Sequence, residues 1–211
     1  MRRSKDTVDA RLAKHLTGDW LAAGRFDDLA DLLARICRSS RSPANCFAYG
    51  RALALAGRVN EAETWLRRAD RGGHWILLWM GPRWRRACRL MRKCLGGEIP
   101  NASKPMAGVR RPDWLAVATI LADRGALDAA LQILELRIGA AWLPASMLVR
   151  IAQWATTSPQ AGETLVRLAT AFPFKGDQAP LLALLRQLLQ NGASATLEKL
   201  LDLAPRLVAL P

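Results

Sequence analysis

The segment Leu53-Ala-Leu-Ala-Gly57-Arg-Val59-Asn-Glu-Ala62-Glu-Thr-Trp-Leu66 holds a helix stop, a helix start and a close-packing small residue. Gly57 lies between two runs of helix formers, where a residue without Cβ adopts the left-handed conformation that ends a helix. Ala62, five positions later, leaves room for the second helix to approach the first. The segment therefore predicts two antiparallel helices joined by a tight turn.

The same arrangement recurs along the chain. Trp20-Leu-Ala-Ala-Gly24-Arg-Phe26-Asp-Asp-Leu29-Ala-Asp-Leu-Leu33 and Leu121-Ala-Asp-Arg-Gly125-Ala-Leu127-Asp-Ala-Ala130-Leu-Gln-Ile-Leu134 are two further copies. A weaker copy is Leu188-Leu-Gln-Asn-Gly192-Ala-Ser-Ala-Thr-Leu197-Glu-Lys-Leu-Leu201. The glycines at 24, 57, 125 and 192 are 33, 68 and 67 apart, so a period of about 34 residues with two concealed units is implied. One concealed turn is expected near Met91 and the other near Ser158-Pro159, between helical runs at Leu148 to Thr156 and Gln160 to Ala171.

In phase with Gly57, Gly50 and Ala62 occupy two small-residue positions, with Leu53, Leu66 and Ala69 at the other packing positions. In phase with Gly125, Trp114 takes an early aromatic position, Ala118 and Ala130 the small ones, and Leu121 and Leu134 the large ones. This pattern resembles the tetratricopeptide-repeat (TPR) family. The units around Gly24 and Gly192 depart from it, the former with Thr17 and Leu29 at the small positions. The resemblance implies an all-α fold, an α-solenoid of stacked antiparallel helical hairpins wound into a superhelix.

It also implies a groove lined by the first helix of each hairpin. The positions are Arg11 and Lys14, Phe47 and Arg51, Leu115 and Thr119, and Leu182 and Arg186. The lysine-and-asparagine clamp by which some TPRs hold a peptide carboxylate is missing there, which argues against chaperone-tail recognition. The expected organisation is one continuous domain: N-terminal hairpins over 1–71, a degenerate segment over 72–112, and C-terminal hairpins over 113–211.

Composition agrees with a helical fold. Leu, Ala and Arg dominate while Val, Ile, Thr and Tyr are scarce, and no stretch alternates as a strand does. Met1 to Lys14 is charged and has no apolar core of secretory-signal length, and Trp75 to Met80 is too short to span a bilayer. A cytoplasmic protein is expected. Cys37, Cys46, Cys88 and Cys94 are too few for a disulfide framework and lack zinc-ligand spacing with His15 or His74, so reduced structural thiols and no metal are expected.

Charge is uneven. The chain carries a net +13, and residues 67–111 hold 12 Lys or Arg against 2 acids. Pro82 and Gly96-Gly97 bracket a helix of about 14 residues, with Trp84, Ala87, Cys88, Met91, Cys94 and Leu95 on one arc. Arg85, Arg86, Arg89, Arg92 and Lys93 share the opposite arc and, with Arg83, form a basic face. From Gly96 to Pro112, three prolines and three glycines preclude helix, so a long loop is expected in place of a second helix.

That basic face is either a solvated surface or a docking site for an acidic protein surface, nucleic acid or an anionic membrane surface, in descending order of fit. Arginine beside tryptophan suits nucleic acid, but no helix-turn-helix, zinc-finger or RNA-recognition signature accompanies it. Two histidines, one tyrosine and scattered acids offer little for acid–base chemistry, and no phosphate loop, nucleophile elbow or paired-histidine motif is present. The sequence thus predicts a scaffold, adaptor or chaperone-like assembly subunit that binds a protein, with a nucleic-acid-binding helical repeat as the alternative. No catalysis, cofactor or small-molecule substrate is expected.

Overall fold

A computed structural model of the chain describes residues 18–72, 83–104, 106–156, 158–172 and 179–208. The expected groove residues Arg11 and Lys14, and the apolar run Trp75 to Met80, lie outside the described residues. The helices are α1 (residues 18–22), α2 (Phe26–Ser39), α3 (Pro43–Leu55), α4 (Val59–Gly72), α5 (Arg83–Leu95), α6 (Arg111–Asp123) and α7 (Leu127–Ile133). The last widens into a π-helical turn, Leu134–Ile138, followed by a short 3-10 turn, Ala140–Trp142. Then come α8 (Ala145–Trp154), α9 (Pro159–Ala171), α10 (Ala179–Gln190) and α11 (Ser194–Val208). Among the described residues there is no strand, and the fold is all-α.

Local chemistry sets these boundaries. Gly57 has φ 82°, its N–H donates to the Ala54 carbonyl at 3.0 Å, and the Arg58 N–H donates to the Leu53 carbonyl at 2.8 Å. This pair of bonds satisfies carbonyls that the end of α3 would otherwise leave open. Gly97, at φ 91°, closes α5 in the same way, with the Glu98 N–H on the Lys93 carbonyl at 2.9 Å. The concealed turn expected near Met91 therefore falls at Gly96-Gly97, and α5 runs through Met91 unbroken. The described residues of 98–110 form no helix, and Pro112 belongs to the first turn of α6 instead of closing the loop. At the start of α3, Pro43 takes the first turn and the Ser42 hydroxyl accepts the Asn45 N–H at 3.2 Å.

The chain forms two compact units, Met1–Ala130 and Leu131–Pro211, divided within α7. In the first unit, α3 packs against α2, α4, α5 and α6, while α5 also lies against α4 and α6. Helices α3 and α6 are apolar nearly all round, as a helix enclosed on all sides must be. Every residue from Cys46 to Leu55 except Ala48 is buried, as is every residue from Asp113 to Leu121. Gly50 makes the α3–α4 contact close: a Cβ there would stand 3.0 Å from Leu66 Cγ and 3.2 Å from the Leu66 backbone nitrogen.

In the second unit α8 packs against α9 and α10, and α11 packs against α9 and α10. One hairpin thus rests on the next, first helix to first helix and second to second. The α9–α11 contact depends on Gly162, whose added Cβ would fall 2.4 Å from Thr196 Oγ1. Arg167 donates to Glu135 at 2.8 Å and ties α9 to the π-helical turn. No helix of the described residues is long and apolar enough to cross a membrane.

Candidate functional site

Of the expected groove residues, four lie in the interior of the first unit. Phe47, Arg51, Leu115 and Thr119 are 4%, 8%, 4% and 3% exposed, so the open groove expected on α3 and α6 does not exist at these positions. Helix α5 is the physical reason. Its Trp84 ring stands 5.7 Å from the Phe47 ring, and the Arg51 guanidinium lies 5.7 Å from the centroid of that same Phe47 ring. Arg51 Nη1 donates to Asp113 Oδ1 at 2.8 Å, joining α3 to α6. Asp113 Oδ2 also accepts the Arg110 N–H at 2.9 Å, so one buried carboxylate both caps α6 and neutralises Arg51. The Thr119 hydroxyl donates to the Leu115 carbonyl at 3.1 Å and is satisfied within its own helix.

The basic face of α5 is likewise less free than its sequence implies. Its apolar arc is buried through Ala87, Cys88, Met91, Cys94 and Leu95, as the helical spacing predicts. On the outer arc, however, Arg92 pairs with Asp70 of α4, Lys93 pairs with Glu98 at 2.9 Å, and Arg86 donates to the Ala107 carbonyl at 3.0 Å. Arg85 is half-buried, its guanidinium 5.7 Å from the Trp84 ring. Arg86 and Arg89 are exposed with no carboxylate in ion-pair reach among the described residues; Arg83 opens the helix, and its side chain lies outside the described part. Asp70 and Glu98, the two acids of residues 67–111, thus neutralise part of the basic face.

No known family, curated protein or solved structure matches this chain. Its function must be argued from its own surfaces.

Two surfaces stand out among the described residues. The first is a stripe on α4, where Thr64, Arg67, Arg68 and Arg71 follow at helical spacing and line a hollow of about 550 Å³. Arg68 stacks on the half-buried Trp65 ring at 4.9 Å, and Trp65 in turn packs at 5.0 Å on Tyr49. Arg67 pairs with Glu63, but that carboxylate is shared with Arg124 at 3.3 Å. The sequence reading counted these arginines in the basic middle and missed their stripe, although the spacing 64, 67, 68, 71 was there to be read.

The second is on α10, where the expected groove residues Leu182 and Arg186 are both exposed. With Leu189 they form a stripe at i, i+4 and i+7 in which the leucines are 50% and 69% exposed, opposite the buried Leu181, Leu184 and Leu188. Leu189 was not singled out from sequence because every second or third residue of α10 is leucine.

The cysteines stand apart from both surfaces. All four are buried free thiols, and Cys37 and Cys46 lie Sγ to Sγ at 3.7 Å between α2 and α3. Burial pushes Cys88 and Cys94 up to about 12 and, with the neighbouring Cys46, pushes Cys37 up to about 11. Such thiols are neutral and unreactive at physiological pH. Among the described residues no group of three or more His, Cys, Asp or Glu could hold a metal ion.

Proposed function

We propose that this chain is a non-catalytic, protein-binding scaffold of TPR-like stacked hairpins, and that α10 presents its docking face. The carrying observation is the exposed Leu182, Arg186 and Leu189 stripe on a helix whose opposite side is fully packed. In a hairpin solenoid the first helix of each hairpin faces the groove, and α10 is the first helix of the pair that turns at Gly192. The stacking of α8 on α10 and α9 on α11 supports that reading for the second unit.

The chemistry of the stripe suits an amphipathic helix. Two leucines separated by two turns take apolar residues at i, i+3 or i+4, and the arginine between them takes an acidic residue at the edge of the apolar face. The test is site-specific photocrosslinking in cells, with the photoreactive residue at position 182 or 189 and, as control, at the exposed Asp31 of α2. Discrete adducts from 182 and 189 that survive nuclease and disappear in Arg186→Glu are expected. Adducts identical to those from position 31, or none at all, would refute the α10 docking face.

A further inference from the structure

We infer that the loop after α5 carries a docking site, separate from α10, for an acidic segment of a partner protein that inserts one large apolar side chain. Leu90 of α5 and Ile99, Pro100 and Met106 of the loop line a hollow of about 340 Å³ whose rim carries Lys93 and Lys104. Ile99 and Met106 are 62% and 38% exposed, although the loop that bears them is tied down along its length. The Glu98 N–H donates to the Lys93 carbonyl at 2.9 Å, and the Ser103 N–H donates to Asn101 Oδ1 at 2.9 Å. Ala102 is buried, and Arg86 donates to the Ala107 carbonyl at 3.0 Å. The two apolar side chains thus stand in solvent on a fixed frame, and a partner meets them without first having to order the loop. Exposed apolar side chains ringed by charge on such a loop mark an interaction site.

Charge sets the class of partner. Arg89 and Arg86 lie one and two turns before Lys93 on the same side of α5, and they and Lys104 are exposed with no carboxylate in ion-pair reach among the described residues. Lys93 does have one, Glu98 at 2.9 Å, and that pair marks the position a partner's carboxylate takes. Both of its side chains are more than half exposed, and a surface pair of this kind is weak and exchanges readily. An apolar centre inside a cationic rim is the arrangement of a protein interface, in which one anchoring side chain is buried and the charges around it choose the partner. Leu90, Ile99 and Met106 give a phosphate backbone nothing to bond. With Ile99 and Met106 facing solvent, the hollow is also too open for a small molecule, whose cleft buries most of its surface. The flexible thioether of Met106 lets one wall adapt to an inserted Leu, Met or Phe side chain.

The test is fluorescence anisotropy of the full chain with a labelled short peptide in which one leucine is flanked on both sides by aspartate and glutamate. Two peptides of equal length serve beside it, one with glycine for the leucine and one with asparagine and glutamine for the acids. Both should bind at least about tenfold more weakly, as should the acidic leucine peptide to Ile99→Asn/Met106→Gln. Lys93→Gln/Lys104→Gln should weaken it several-fold. Glu98→Gln, which releases Lys93, should tighten it about two- to fivefold, whereas Asp31→Asn, which alters the net charge equally at an exposed position of α2, should not. Circular dichroism establishes that each variant is folded. Equal binding of either control peptide, equal tightening by Asp31→Asn, undiminished binding to Ile99→Asn/Met106→Gln, or absence of binding up to about 1 mM would each overturn the proposal. So would an oligouridine of the same charge that binds more tightly and loses affinity in the same variants, because the loop would then be a nucleic-acid site. Every variant leaves the α10 stripe intact, so crosslinking from positions 182 and 189 succeeds or fails independently.

Discussion

Replacing Asp113 with alanine should destabilise the first unit more than any other single change to a charged side chain. Its carboxylate is 2% exposed, accepts Arg51 at 2.8 Å, and accepts the Arg110 N–H at 2.9 Å. Removing it strands a guanidinium whose side chain is 10% exposed between α3 and α6. Breaking one side of a buried ion pair costs about 3–5 kcal/mol, of which the lost helix cap accounts for about 1. Against a domain stability of about 5–15 kcal/mol this is a large fraction. Urea unfolding followed by tryptophan fluorescence measures it where it matters, because six of the eight tryptophans precede residue 130. The companion variant Arg51→Met/Asp113→Leu removes both charges and keeps apolar volume, and should lie within about 1 kcal/mol of the parent or above it. A loss below about 1 kcal/mol for Asp113→Ala, or a double variant as damaged as the two single ones combined, would refute a buried, coupled pair. The same experiment separates roles for Arg51, since a groove residue would lose binding while leaving stability intact.

Three further outcomes follow from the packing. Gly50→Ala should cost about 1–2 kcal/mol in the same assay, because the new Cβ would crowd the Leu66 side chain and backbone at 3.0–3.2 Å and the gain in helix propensity offsets only part of it; no loss would mean that α3 and α4 have slack. Thiol labelling of the native protein at mildly alkaline pH should be at least about a hundredfold slower than in urea for all four cysteines, and fast stoichiometric labelling would contradict their burial. Stability should fall as pH rises above about 9: folding raises the Cys88 and Cys94 thiols from 9.0 to about 12, so their contribution is complete below the unfolded value and is lost through that window, at about 1.4 kcal/mol per pH unit and thiol. Cys88→Ala/Cys94→Ala should flatten that alkaline limb, and an unchanged limb would assign it to other groups.

The helices were legible because their signals are local. Gly57 and its counterparts, the Gly96-Gly97 stop and the apolar arc of α5 each depend on residues a few positions apart, and the structure places these helix ends accordingly, while Pro82 lies outside the described residues. The groove was not legible, because whether Phe47 and Arg51 face solvent depends on what lies over them. Trp84, 37 residues away, and Asp113, 62 residues away, cover and neutralise them. The enclosure nevertheless left a trace in the sequence. Ala-Tyr-Gly-Arg-Ala-Leu-Ala-Leu in α3 and Trp-Leu-Ala-Val-Ala-Thr-Ile-Leu in α6 have almost no polar side, which is incompatible with a helix that lines an open groove. Asp70, paired with Arg92 across 22 residues, was invisible for the same reason as Trp84.

The position of α5 explains why the charges end up where they do. Its apolar arc is spent against α4 and α6, so its basic arc is fixed toward the neighbouring α4 end and the loop, where Asp70, Glu98 and the Ala107 carbonyl take up three of its cations. Residues 67–111 contain only those two acids, and both are consumed by α5. Nothing within the segment is left to neutralise the outer stripe of α4. Arg68 and Arg71 of α4, like Arg86 and Arg89 of α5, are left exposed with no carboxylate in ion-pair reach among the described residues, while Arg67 shares Glu63 with Arg124.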